Sequence, residues 1–175
     1  MPYALGNLRR LLQKPFSDYP YLNEILTKLT TMSQFNEIAE DRRLEVRIFS
    51  FAYKKGIPVD NTGNGGGYVF DCRAVNNPGK YEHYRQFTGL DREVIQFLED
   101  DGGVTRFLDH VFFLVDAHVK RFIERKFTHL QVCFGCTGGQ HRSVYCAEKL
   151  AAHLSEKFDI KITVSHRELD IEKIL

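Results

Sequence analysis

From residue 44 onward the apolar residues change period repeatedly, and this alternation restricts the accessible folds more than any other feature of the chain. Leu44 to Phe51 is rich in Val, Ile and Phe and reads as a strand. Tyr68-Val69-Phe70 is a second, short strand, Leu130 to Phe134 a third, and Ile160, Ile162 and Val164 alternate as a last one. Helical stripes separate them. Asp91 stands as an N-cap before Val94, Phe97 and Leu98, and a longer helix carries Val104, Phe107, Leu108, Val111, Leu114, Val115, His118 and Phe122 on one broad face. Val144, Ala147, Ala151, Leu154 and Phe158 mark a third stripe. Strands joined through helices imply right-handed crossovers, so the expected fold is α/β, a mainly parallel sheet with crossover helices.

The first forty residues differ. Leu22, Ile25, Leu26 and Leu29 recur at helical spacing after Asp18 and Pro20, and Leu5, Leu8, Leu11 and Leu12 precede a break at Pro15. The expected organisation is an N-terminal helical extension over residues 1–40 and an α/β domain over 41–175. At 175 residues the chain buries roughly 70% of its unfolded surface and needs no disulfide or metal to fold. The net charge is +1, which excludes a general nucleic-acid coat or a membrane-surface binder. An excess of three positive charges over residues 41–90 is local and suits a small anion. The longest strongly apolar run, Val111 to Val115, is far too short for a bilayer, and Met1 to Lys14 lacks a signal-peptide core. A cytoplasmic protein with no membrane partner is expected.

Of the four cysteines, Cys133 and Cys136 form a C-x-x-C. No second such pair and no H-x3–5-H follows, and Cys133 falls inside a strand rather than at a helix start, so reduced thiols are expected, with no metal and no cofactor. Thr62-Gly-Asn-Gly-Gly-Gly67 lacks a following Gly-Lys-Ser/Thr and leads into a strand, so it reads as a surface loop.

The informative stretch is Leu130-Gln-Val-Cys-Phe-Gly-Cys136-Thr-Gly-Gly-Gln-His-Arg142-Ser143. A strand runs into Thr137, Gly138 and Gly139, and a helix begins near His141. Adjacent glycines allow bare amide N–H groups to converge on one anion. The helix dipole, the Arg142 guanidinium and the hydroxyls of Thr137 and Ser143 favour phosphate at the same place. Ligands of open parallel sheets sit beyond the carboxyl ends of the strands. Those exits carry Asp71 with Arg73, the 136–143 loop, and His166 with Arg167, so all are candidate phosphate contacts.

Two classes of function compete for that site. Cys136-x5-Arg142-Ser143 fits the C-x5-R-[ST] pattern of cysteine-dependent phosphatases, in which a thiolate attacks phosphorus while the arginine grips its oxygens. Asp71 or Asp91 would serve there as general acid. Gly135 stands where those enzymes usually have histidine. The other class is a non-catalytic receptor for a phosphorylated ligand.

A longer set of residues resembles the C-terminal domain of the RapZ family of RNase adapter proteins. Phe134-Gly-Cys-Thr-Gly-Gly-Gln-His-Arg-Ser-Val-Tyr145 with Ala147-Glu-Lys-Leu150 carries its signature. Ser50-Phe51, Lys54, Gly56-Ile-Pro-Val-Asp60, Tyr68-Val-Phe-Asp71 with Arg73, Asn77-Pro78, Thr88-Gly-Leu-Asp91 and Ser165-His-Arg167 agree in order. The resemblance spans about residues 48–169. It implies a cytosolic bacterial regulator that binds glucosamine-6-phosphate and small regulatory RNA, acts through RNase E, and self-associates as a homodimer or higher oligomer. Thr137, Gly138, His141 and Arg142 match positions that contact the sugar phosphate in that family, and Lys54 matches one linked to RNA binding. Departures are specific. No Walker-type nucleotide-binding domain is among these residues, so ATP or GTP hydrolysis does not carry over. Gly79 stands where the family often has a ligand-contacting histidine, Asp170-Ile-Glu-Lys-Ile-Leu175 replaces a basic tail, and Thr62–Gly67 is an insertion.

Overall fold

The computed structural model describes residues 43–64 and 66–175, together with Glu24 and Lys28, which form an exposed ion pair at 2.8 Å. The expected extension over residues 1–40 otherwise lies outside the described residues. Arg43 to Leu175 clusters as one unit.

Five strands make one sheet. β1 (Glu45–Ala52) has β3 (His129–Cys136) on one side and β4 (Lys161–His166) on the other; β2 (Gly67–Asp71) lies outside β3, and β5 (Ile171–Ile174) outside β4. The first four run parallel and β5 is antiparallel. Three helices, α1 (Arg92–Glu99), α2 (Gly103–Glu124) and α3 (Arg142–Lys157), supply the connections from β2 to β3 and from β3 to β4. The core takes alternate strand residues, Val46, Ile48, Leu130, Val132, Phe134, Ile162 and Val164, together with Val94, Leu98, Val111, Val115, Leu150 and Leu154 of the helices. Period-2 alternation thus places the helices on one face of the sheet. The opposite face carries Phe49, Phe51, Gln131 and Cys133, and the β1–β2 connection, which opens with a 3-10 turn at Tyr53–Lys55, crosses it, with Tyr53 edge-on to Phe51 at 5.0 Å and Gln131 Nε2 donating to the Pro58 carbonyl at 3.2 Å.

Two local expectations are refined. Asp91 occupies the N-cap position of α1, yet its carboxylate accepts from Thr88 N at 2.7 Å and Thr88 Oγ1 at 2.9 Å and leaves the helix uncapped. Asx turns compete with capping in this way. The carboxyl-terminal residues form β5, reached through a turn at Asp170 with φ of 55°. Among the described residues no helix is long and apolar enough to cross a membrane.

A polar chain ties β1, β4 and β5 to α3 on the helix-bearing face of the sheet. Ser50 Oγ lies 2.9 Å from His166 Nδ1, His166 Nε2 lies 2.8 Å from Glu148 Oε1, and Lys173 Nζ donates to Glu148 Oε2 at 2.5 Å. The hydrogen bond from His166, and then that from Lys173, hold the Glu148 carboxyl below its ordinary value of 4.5 against the opposing effect of burial. Folding therefore gains stability from ionised Glu148 at neutral pH, and that gain is lost as the pH falls from 4.5 through the folded-state value. Glu148→Gln should flatten the acid limb of a plot of urea midpoint against pH, below about pH 5. An acid limb as steep as that of the parent chain would contradict this role.

Candidate functional site

β3 ends at Cys136 and α3 begins at Arg142, so five residues make the turn at the carboxyl end of the sheet. Gly139 carries the sharp bend at φ of +69°, where a Cβ would stand 2.3 Å from Glu168 Cγ and 2.8 Å from Ala52 N. Its N–H donates to Cys136 Sγ at 3.1 Å, and Ser143 Oγ lies 3.1 Å from the same sulfur. The loop thus closes around its own first cysteine.

Neighbouring segments clamp it. Gln140 Nε2 donates to the carbonyls of Arg85 at 2.9 Å and Phe87 at 2.6 Å, and its own carbonyl accepts from Gly89 N at 2.9 Å. His141 Nε2 lies 3.0 Å from the Tyr84 carbonyl. A carbonyl only accepts, so Nε2 carries the proton. Nδ1 is then left on the side of Gly79, where an added Cβ would stand 3.7 Å away. Beneath the loop, Glu168 accepts from Ala52 N at 3.3 Å and pairs with Lys55.

Arg142 is the unusual group. Only 4% of it is exposed, and no carboxylate pairs with it among the described residues. Nη1 donates to the carbonyls of Arg73 at 3.0 Å and Val75 at 3.1 Å, Nη2 to Thr137 Oγ1 at 3.4 Å, and the buried Nε has no partner. Burying a guanidinium among neutral acceptors with one donor unmet is costly unless an anion completes it. Arg142, Thr137, Gly138 and His141 line a cavity of about 260 Å³ with Asn77, Gly79, Arg85 and Gln140, and Cys136 lies at its floor. A second cavity of about 340 Å³ shares Asn77, Thr137 and Arg142 and adds Arg73, Asn76 and Lys80.

The structure therefore brings together four of the expected contacts, Thr137, Gly138, His141 and Arg142. Gly139 and Ser143 lie buried under them and shape the loop. Arg73 reaches only the second cavity, held by Asp71 at 2.6 Å and stacked over the Tyr53 ring at 4.3 Å. The hydrogen bond from Arg73 holds the Asp71 carboxyl below its ordinary value, so it is ionised at neutral pH and has no proton to give as a general acid. His166 is 1% exposed, within the polar chain described above, because β1 separates its strand from the loop strand. Arg167 instead donates to the carbonyls of Gly56 at 2.9 Å and Lys55 at 3.3 Å. Lys54 is exposed on the turn after β1. Asn77, Gly79, Arg85 and Gln140 are cavity residues that site reasoning from the sequence did not assign. Two of them carry a positional signal: Gln140 lies between Gly139 and His141, and Gly79 follows Asn77-Pro78 where the resembled family often has a ligand-contacting histidine. All four cysteines are free and buried, and burial pushes the Cys133 thiol up to about 12.

Comparison with known proteins places this sequence in a family. The profile of the RapZ C-terminal domain matches residues 44–170. A nucleotide-binding protein of Fervidobacterium nodosum is 36% identical over 149 residues, which are 85% of this chain and 50% of that protein. Another of the same name from Xanthomonas oryzae pv. oryzae is 35% identical over 133 residues, 76% of this chain and 45% of its own length. One from Acinetobacter baylyi is 37% identical over 134 residues, 77% and 45% respectively. The chain spans about half the length of these relatives, and the half it matches is the one that carries the loop: it belongs to the RapZ C-terminal domain family.

Proposed function

We propose that the loop after β3 is a receptor site for a small phosphorylated metabolite, of the amino-sugar phosphate kind, and that the domain is a non-catalytic regulatory adapter. The observation that carries this reading is Arg142, almost wholly buried with an unpartnered Nε at the wall of a polar cavity. Phosphate oxygens would take the Nε–H, the Thr137 hydroxyl and the loop amides, while His141 Nδ1 and Asn77 face the remainder of the ligand. Through Lys54, the exposed cation on the adjoining turn, the same domain would contact RNA, and a second copy of the chain or an RNase would read the loaded state. Calorimetry with glucosamine-6-phosphate, inorganic phosphate and nucleotides should give binding below about 1 mM for the first of these. Heat of dilution alone with all three would refute the receptor.

One observation favours a second reading. Cys136 Sγ receives the Gly139 N–H and lies beside the Ser143 hydroxyl, an arrangement that also serves a thiolate nucleophile in a cysteine phosphatase. That reading predicts hydrolysis of an aryl phosphate, abolished by Cys136→Ser. No turnover at any pH between about 5 and 8 leaves the receptor.

A further inference from the structure

The second cavity at the loop, of about 340 Å³, shares Asn77, Thr137 and Arg142 with the first. All three carry donors. Asn77 Oδ1 accepts the Gly79 N–H at 3.3 Å, so Nδ2 is the end of that amide left to donate. Thr137 Oγ1 accepts from Arg142 Nη2 at 3.4 Å, which frees its own proton for another acceptor. Arg142 Nη1 covers the carbonyls of Arg73 and Val75, two lining residues whose oxygens would otherwise oppose an anion.

The second cavity adds two cations of its own, Arg73 and Lys80. Arg73 is held in place: Nε and Nη2 bond the Asp71 carboxylate at 2.9 and 2.6 Å, and the guanidinium lies 4.3 Å over the Tyr53 ring. Nη1 is the nitrogen that remains. Lys80 is exposed at the end of the 3-10 turn Pro78–Lys80. Two carboxylates lie near, and both are engaged. Asp71 holds Arg73, while Asp101 accepts from Asn76 Nδ2 at 3.0 Å and from the Gly103 N–H at 2.7 Å. Neither is among the described lining residues, and with both counted the balance of Arg73, Lys80 and Arg142 stays positive. One phosphate in the first cavity leaves Arg73 and Lys80 unused.

We infer that the second cavity is a second anion subsite, so that the ligand of the loop carries two anionic groups, a phosphate in the first cavity and a phosphate or carboxylate in the second. This rests on the receptor reading of the loop and narrows its ligand class. Arg73 Nη1 and the Lys80 ammonium hold the second group, and Asn77, Thr137 and Arg142 serve both. Because three residues belong to both cavities, the two groups stand a few atoms apart on one small molecule.

Calorimetry on the full chain compares glucose 6-phosphate, which has one anionic group, with glucose 1,6-bisphosphate and 6-phosphogluconate, which have two. At least one of the two-anion ligands should bind at least about tenfold more tightly than the monophosphate. A gain for both identifies a subsite that takes a carboxylate as well as a phosphate; a gain for one alone identifies the group it takes. Lys80→Gln should remove most of the advantage, whereas Lys120→Gln, at an exposed lysine of α2 outside the lining, should keep it. Equal losses in the two variants would reduce the preference to bulk charge and overturn the inference. Equal affinities for all three ligands in the parent chain would overturn it too, and would leave the receptor reading standing. Absence of binding by all three would refute both.

Discussion

Arg142→Ala should weaken phosphosugar binding at least about thirtyfold, a loss of about 2 kcal/mol, and Arg142→Lys should recover only a small part of it. A loss of that size matches removal of a charge-assisted donor from the proposed anion site. Lysine restores the charge but not the planar fork, and the fork is what the geometry uses: Nη1 is committed to the carbonyls of Arg73 and Val75, Nη2 reaches Thr137, and Nε has no protein partner. Because Nη1 also joins the 73–75 segment to the loop, the alanine variant should lose some thermal stability. The two effects should separate, with the lysine variant retaining more of the fold than of the affinity. Calorimetry on both variants, with thermal denaturation in parallel, measures this. Undiminished affinity in Arg142→Lys would remove Nε from the site.

The second large effect concerns two adjacent glycines with opposite demands. Gly139→Ala should cost about 3 kcal/mol of stability or more. A left-handed residue with a Cβ costs about 1–2 kcal/mol, and overpacking against fixed neighbours adds about as much again. Here the neighbours are Glu168 Cγ and the Ala52 amide, the latter being backbone that cannot yield. Gly138→Ala meets nothing within 4 Å and should leave stability within about 0.5 kcal/mol. That substitution instead places a methyl group at the cavity, so any change should appear in ligand affinity. Urea denaturation of the two variants checks the contrast. Equal destabilisation would mean that the loop is stiffened by something other than its closure on Ala52 and Glu168.

Much of this architecture is legible in the residues. The strands fall within one or two residues of where β-branched and aromatic runs place them, and the helices where their stripes do, because strands buried on both faces and helices packed on one face write distinct periods. The loop was legible because two glycines, a helix start and an arginine coincide. Other features had no local signal. β5 has neither a β-branched run nor strict alternation, with Ile171 and Ile174 both exposed, and it forms because β4 offers an open edge. His166 looked like a ligand contact from its place at a strand exit. The order of the strands, which no single segment encodes, moves it one strand away from the loop and hands it to Ser50 and Glu148. The clamp from Gln140 to the 85–89 segment is likewise a matter of tertiary distance.

That clamping has a kinetic consequence. The loop is fastened to carbonyls 53 to 69 residues earlier in the chain, at Phe87, Arg85, Val75 and Arg73, while Ala52 beneath it is bonded to Glu168, 116 residues further on. Each of those bonds waits for a large chain closure, so the loop should be among the last parts to assemble. Added ligand should therefore leave the refolding rate nearly untouched and act mainly by slowing unfolding.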